Sequence, residues 1–255
     1  MFKKVFCVVT SIVFCICVFA SCSPAGNYSD EMKINDGRDI SPNNGADSVE
    51  RQGDHKDSPY FSQLDFYNME SSDTLTILPQ FKTIQQSSEL TCGPACILMV
   101  LDYFGRADGY DEQGLTELHP DGLAMESTSL NEAIAIFDRV GGFDLTTTLD
   151  YGEDIYTDFR LSTIRQFLAD GVPVMVCWND WGGHWQVVIG YDTMGTETEQ
   201  DDVLIVADPY DTTDHNQDGY GVYPAQRFYY NFTTYNFFDE EDGGNDMLFI
   251  AATPA

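Results

Sequence analysis

Basic residues are scarce in this chain: 12 lysines and arginines stand against 42 aspartates and glutamates, for a formal charge of −30 over 255 residues. Such a surface repels nucleic acid and anionic lipid, so no nucleic-acid partner is expected. Cationic peptides or protein tails could be steered towards it, although solubility outside a cell or tolerance of salt accounts for the charge as well. Cysteine is also thin. Of 7 in total, only Cys92, Cys96 and Cys177 lie beyond residue 22, too few for a disulfide scaffold in a domain this size. A Cys96–Cys177 pair stays open. No CxxC pair with a matching histidine occurs, which excludes a cysteine-rich zinc site. There is no P-loop for nucleotide, no internal repeat, and no apolar run of spanning length after the first 21 residues.

That first stretch has a different character. Lys3 and Lys4 precede an apolar run from Val5 to Ala20, short for a membrane span and interrupted by Thr10 and Ser11. Phe19-Ala20-Ser21-Cys22 resembles a bacterial lipoprotein cleavage box. Residues 1–21 are therefore expected to be a signal peptide, with Cys22 carrying a lipid anchor on the outer side of a membrane and plain secretion as the alternative. Residues 22–59 are rich in Ser, Asn, Asp and Gly, and Tyr28 is the sole aromatic of Ser23–Ser58. Such a segment cannot bury enough apolar surface to offset its ordering entropy, so it reads as a tether of about 30–35 Å mean reach. Residues 60–255 are left as one domain with a full core, expected to be a monomer.

Within that domain the chemistry begins at Gln86-Ser87-Ser88-Glu89-Leu90-Thr91-Cys92-Gly93-Pro94. Pro94 suits the first turn of a helix, where its missing N–H costs nothing. From Ala95 to Phe104, Ile97, Val100, Leu101 and Phe104 recur at helical spacing, and Gly105 stops the run. Cys92 thus heads a core helix, where unpaired N–H groups and a partial positive charge favour the thiolate. His184 follows two glycines and opens a strand, Trp185 to Tyr191; among 4 histidines it alone opens a core strand. Asp208 ends the strand Val203–Ala207 and precedes Pro209, where a carboxylate can orient an imidazole. Gln86, six residues before Cys92, can offer a side-chain amide to an oxyanion, and the adjacent Gln85 competes for that role. Thiol, imidazole, carboxylate and amide together are the parts of a cysteine nucleophile site.

Taken in order, Gln-x5-Cys-Gly-Pro, Gly-His-Trp-x-Val-Val-x-Gly-Tyr-Asp and a strand ending in Asp-Pro resemble the papain-fold cysteine peptidases typified by bacteriocin-leader processing domains. The resemblance covers Tyr60 to the C-terminus. It implies an α+β, papain-like fold, with a helical half carrying the cysteine and an antiparallel β-sheet half carrying the histidine and aspartate. It also implies Cys92 as nucleophile, His184 as base and acid, Asp208 as orienter and Gln86 as oxyanion donor, acting on a peptide or protein without a required cofactor. Leader-processing members are usually fused to an ABC transporter. No transporter follows here, so the free-standing secreted branch is the better comparison. Two other classes stay open: an amidase or acyltransferase with the same triad (cell-wall peptide or transglutaminase-like), and a non-catalytic surface binding module.

Further features sit beside this constellation. Asp214, Asn216, Asp218 and Gly219 match the first half of a calcium loop, with the Tyr220 carbonyl at the seventh position; Ala225 replaces the usual twelfth-position glutamate. A structural calcium or a solvated acidic turn both fit. Trp178, Trp181 and Trp185 bracket His184, with Trp181 the candidate for a cleft wall and Trp185 for the core. Four more elements are expected: a helix over Ser129–Val140 burying Leu130, Ala133, Ile134 and Phe137, a helix over Leu161–Ala169, and strands at Val172–Trp178 and Met247–Ala251.

Overall fold

The computed structural model describes residues 64–107, 109–212 and 217–255. The expected signal peptide, Cys22 and the expected tether lie outside the described residues, as do Asp214 and Asn216 of the expected calcium half-loop.

A short strand β1 (Leu75–Ile77) precedes helix α1 (Cys92–Tyr103), α2 (Glu112–Glu117) and α3 (Leu130–Val140). Next come β2 (Phe143–Thr147), the short helices α4 (Thr148–Tyr151) and α5 (Ile155–Asp158), and α6 (Leu161–Ala169). The chain then runs through β3 (Val174–Trp178), β4 (His184–Asp192), β5 (Val203–Ala207), β6 (Tyr220–Pro224), α7 (Ala225–Tyr230) and β7 (Leu248–Pro254). The strands form one antiparallel sheet in the order β2-β7-β3-β4-β5-β6, and β1 pairs with the far half of β4. Helices grouped with an antiparallel sheet make this an α+β architecture.

Local chemistry explains the elements. Ser129 caps α3 by accepting from the Glu132 N–H while Glu132 reaches back to the Ser129 N–H, a reciprocal capping box. Every residue of β3 is buried, as is all of β4 but its last, which is why β3 reads as a continuous apolar run. Both α1 and α6 pack on β4. The core continues through Phe159, whose ring meets that of Phe249 at 4.5 Å, and through Phe137 and Leu101.

Two expectations need correction. Helix α1 does not present a stripe: Gly93 through Leu101 are all buried, because β4, α2 and α3 surround it. On α3 it is Ile136, with Leu130, Ala133 and Phe137, that is fully buried, while Ile134 is only partly covered. The expected stop at Gly105 holds, with a left-handed φ of 64° just past the end of α1.

Candidate active site

Cys92 is the first residue of α1 and is half-buried. The preceding residue, Thr91, does not cap the helix: its hydroxyl turns back to Ser88, accepting from the Ser88 hydroxyl at 3.1 Å. No acidic residue occupies the first turn. The positive end of α1 is therefore left without a side-chain anion or cap, and the thiol sits on it. Gly93 is needed for close packing: a Cβ there would lie 2.7 Å from the side chain of Thr128.

His184 opens β4 after a hairpin loop in which Trp181, Gly182 and Gly183 all have positive φ, at 51°, 85° and 136°. Two of these are glycines, which adopt such angles freely; Trp181 is a non-glycine outlier in a loop that carries a functional side chain. Asp208 lies directly after β5, the antiparallel neighbour of β4. That pairing brings His184 Nε2 to 2.7 Å from Asp208 Oδ1, with both side chains buried. Asp208 Oδ1 also accepts the Tyr210 N–H at 2.8 Å. Burial pushes the His184 imidazolium down, but the charge and hydrogen bond of Asp208, aided by Cys92, outweigh it and raise the ring from 6.5 to about 10. The imidazole thus stands between carboxylate and thiol.

The other thiols contrast with Cys92. Cys96 and Cys177 are free, fully buried and pushed well up, first by burial. The open question of a bridge between them is answered: there is none. Cys96 donates instead to the Trp185 carbonyl at 3.2 Å.

Gln86 is buried, and its backbone N–H donates to the Pro209 carbonyl at 2.9 Å, tying the pre-cysteine segment to the Asp208–Pro209 corner. Its side-chain Nε2 donates to the Ser88 carbonyl at 2.7 Å rather than to a member of the triad, and Oε1 has no partner. Gln85 points elsewhere, its Nε2 lying 3.4 Å from the Gln217 carbonyl.

Several residues here carry no sequence motif. Glu112, fully buried at the start of α2, accepts the Ser87 N–H on both carboxylate oxygens at 3.0 and 3.1 Å, which anchors the turn before Cys92. Tyr210 places its ring 6.4 Å from that of His184 and 5.6 Å from that of Trp181, and its hydroxyl donates to Glu89 at 3.0 Å. Trp181 is 61% exposed, while Trp185 is buried and donates to the Thr128 carbonyl at 2.7 Å. The expected core tryptophan is thus Trp185, while Trp181 is exposed beside Tyr210. Gln186, Asp180, Trp178 and Tyr223 surround the far side of Asp208. An apolar strand interrupted by one glutamine two residues after the histidine was the available signal.

Two places invite a metal. At the calcium half-loop, Asp218 accepts the Tyr220 N–H at 3.0 Å and the Asp218 carbonyl accepts the Thr83 hydroxyl at 2.7 Å, while Tyr220 opens β6. His119, Asp121 and Glu132 also bring ligand atoms within 4.8 Å of one another. There His119 Nδ1 is engaged by the Asp121 N–H at 3.1 Å, while Nε2 lies 3.4 Å from Glu132 without forming a hydrogen bond to it.

No curated protein matches the chain. A family model does, over residues 55–237, a span that includes Gln86, Cys92, His184 and Asp208. Together with the helix-borne cysteine and the sheet-borne histidine, that match places the chain in the Peptidase_C39 like family, with its papain-like, cysteine-peptidase-like fold.

Proposed function

We propose that the protein is a cysteine peptidase acting outside the cytoplasm, held at a membrane by lipid on Cys22. Its chief support is the continuous arrangement Asp208–His184–Cys92 at the uncapped end of α1.

The reaction follows from these groups. With Nε2 engaged by Asp208, His184 offers Nδ1 to the thiol and takes its proton, giving a thiolate–imidazolium pair. The sulfur attacks the scissile carbonyl carbon, and the developing oxyanion is met by the Cys92 backbone N–H and the second hydrogen of the Gln86 amide, the first being held by Ser88. As the tetrahedral intermediate collapses, the C–N bond breaks and His184 protonates the leaving amine. A water then gives its proton to His184 and attacks the thioester, and the acid product leaves as Cys92 regains its proton. Trp181 and Tyr210 form an aromatic wall beside the imidazole, suited to a substrate side chain next to the scissile bond.

A peptide-library cleavage profile of wild-type and Cys92→Ala protein, paired with iodoacetamide labelling, tests this reading. Cleavage present in the wild type and absent in the variant, with Cys92 alkylated ahead of Cys96 and Cys177, is the expected result. Equal labelling of the three thiols with no Cys92-dependent cleavage would sink it.

A further inference from the structure

Gln186 lies two residues after His184 on β4, at 0% exposure within a strand of otherwise apolar neighbours. A buried glutamine must satisfy an oxygen and two N–H groups, and here all three have partners. The Trp178 indole can only donate, and it gives its N–H to Gln186 Oε1 at 2.8 Å. That fixes the amide, because Nε2 must then face the other way. On that side Nε2 meets two carboxylates, at 2.8 Å to Asp208 Oδ2 and 3.1 Å to Asp180 Oδ2. One amide hydrogen is available for each. Tyr223 donates its hydroxyl to the same Asp180 oxygen at 3.0 Å.

Strand register makes the contact unavoidable. Val187 pairs with Ala207, so one step further along the antiparallel ladder Gln186 stands opposite Asp208.

We propose that Gln186 is a positioning residue, which holds the Asp208 carboxylate aimed at His184 by donating one hydrogen to it and the other to Asp180, with Trp178 locking the amide. The proposal rests on the triad reading above. Its physical basis is the like-charge pair. Two partly buried carboxylates facing each other without a shared donor either retain a proton or move apart, and each outcome weakens the hold on the imidazolium. Asp180 already registers this tension: burial, then the charge of Asp208, pushes its carboxyl up, while His184, Tyr223 and Gln186 pull it back.

The titratable groups around the network come from every packed element. Cys92 faces His184 from α1, Asp180 faces it from the hairpin loop, and Asp208 and Tyr210 face it from the segment after β5. Tyr223 approaches from β6, Cys96 from α1 senses the Asp208 charge, and Cys177 on β3 senses Cys92. Arg227 on α7 lines a groove of about 450 Å³ with Asp180 and Trp178, and no ion pair joins it to Asp180 among the described residues.

The test follows His184 itself by NMR in histidine-labelled protein, with its signal identified as the one lost in His184→Gln. Gln186→Leu should lower the titration midpoint of His184 by at least about one pH unit, a tenfold loss of proton affinity. Trp178→Phe, which keeps a ring against Tyr223 and Phe228 but frees the amide, should shift it in the same direction by less. Val187→Ala, on the opposite face of β4, serves as a control that disturbs packing alone. Should Gln186→Leu fail to fold, Trp178→Phe decides by itself. A midpoint that moves no further in these two variants than in the control overturns the proposal. Because the measurement needs no substrate, an absence of peptide cleavage by the wild type would count against the peptidase reading and leave this result standing.

Discussion

Replacing Asp208 by asparagine should flatten the dependence of stability on pH above 6.5. The imidazole of His184 titrates at 6.5 when free of its surroundings and at about 10 in the folded protein. A group whose folded value is raised contributes stability that is complete below the unfolded value and is lost as pH rises through the folded one. Between these limits the unfolded chain has released the proton and the native protein still holds it. Stability therefore falls with a slope approaching 1.4 kcal/mol per pH unit, or about 2 kcal/mol between roughly pH 6.5 and 8.5. The window ends before the buried thiols, with a reference value of 9.0, begin to contribute their own alkaline loss. Guanidinium unfolding at three pH values across the window, for Cys92→Ala protein with and without Asp208→Asn, measures the slope, because without the thiol no proton passed from Cys92 offsets the one held by His184. In the variant the imidazole loses its anion while remaining buried, and the slope should vanish. Parallel loss of stability in both proteins would show that Asp208 does not hold a proton on His184, and the reasoning behind the catalytic dyad would fail with it.

Other consequences are more local. Gly93→Ala places a methyl group 2.7 Å from the Thr128 side chain, itself 2% exposed, and should cost about 1–3 kcal/mol in a thermal or denaturant melt; an unchanged melting temperature would mean that Thr128 yields freely. If the loop from Asp214 to Tyr220 takes up calcium, excess calcium should raise the melting temperature of the wild type and leave an Asp214→Ala/Asp218→Ala form unmoved. Equal response of the two proteins would remove the calcium reading.

Much of the site is legible in the chain because its signals are local. A proline two residues past Cys92, an apolar run and a closing glycine specify where α1 begins and ends. Two glycines before His184 mark a loop that ordinary residues would resist. The all-round burial of α1 was not legible, since it depends on β4, α2 and α3 arriving from distant parts of the sequence. The same holds for Glu112, which anchors Ser87 across 25 residues, and for the short strands β1 and β2, whose pairing partners are remote. Gln86 shows the limit at its plainest: spacing nominates it, yet its amide bonds to Ser88, and which donor meets an oxyanion is a question of ångströms.

By itself the sequence determined the inventory and the order of the reacting groups, and where the helix and strands that carry them start. Only the tertiary structure decided which groups meet. The antiparallel pairing of β4 with β5 sets Gln186 opposite Asp208 and brings Asp208 to His184, while a bulge between Val188 and Gly190 shifts the register beyond that point. Because side chains alternate along a strand, a slip of one residue would turn that row to the other face, and no local property of His184, Gln186 or Asp208 specifies the register that joins them.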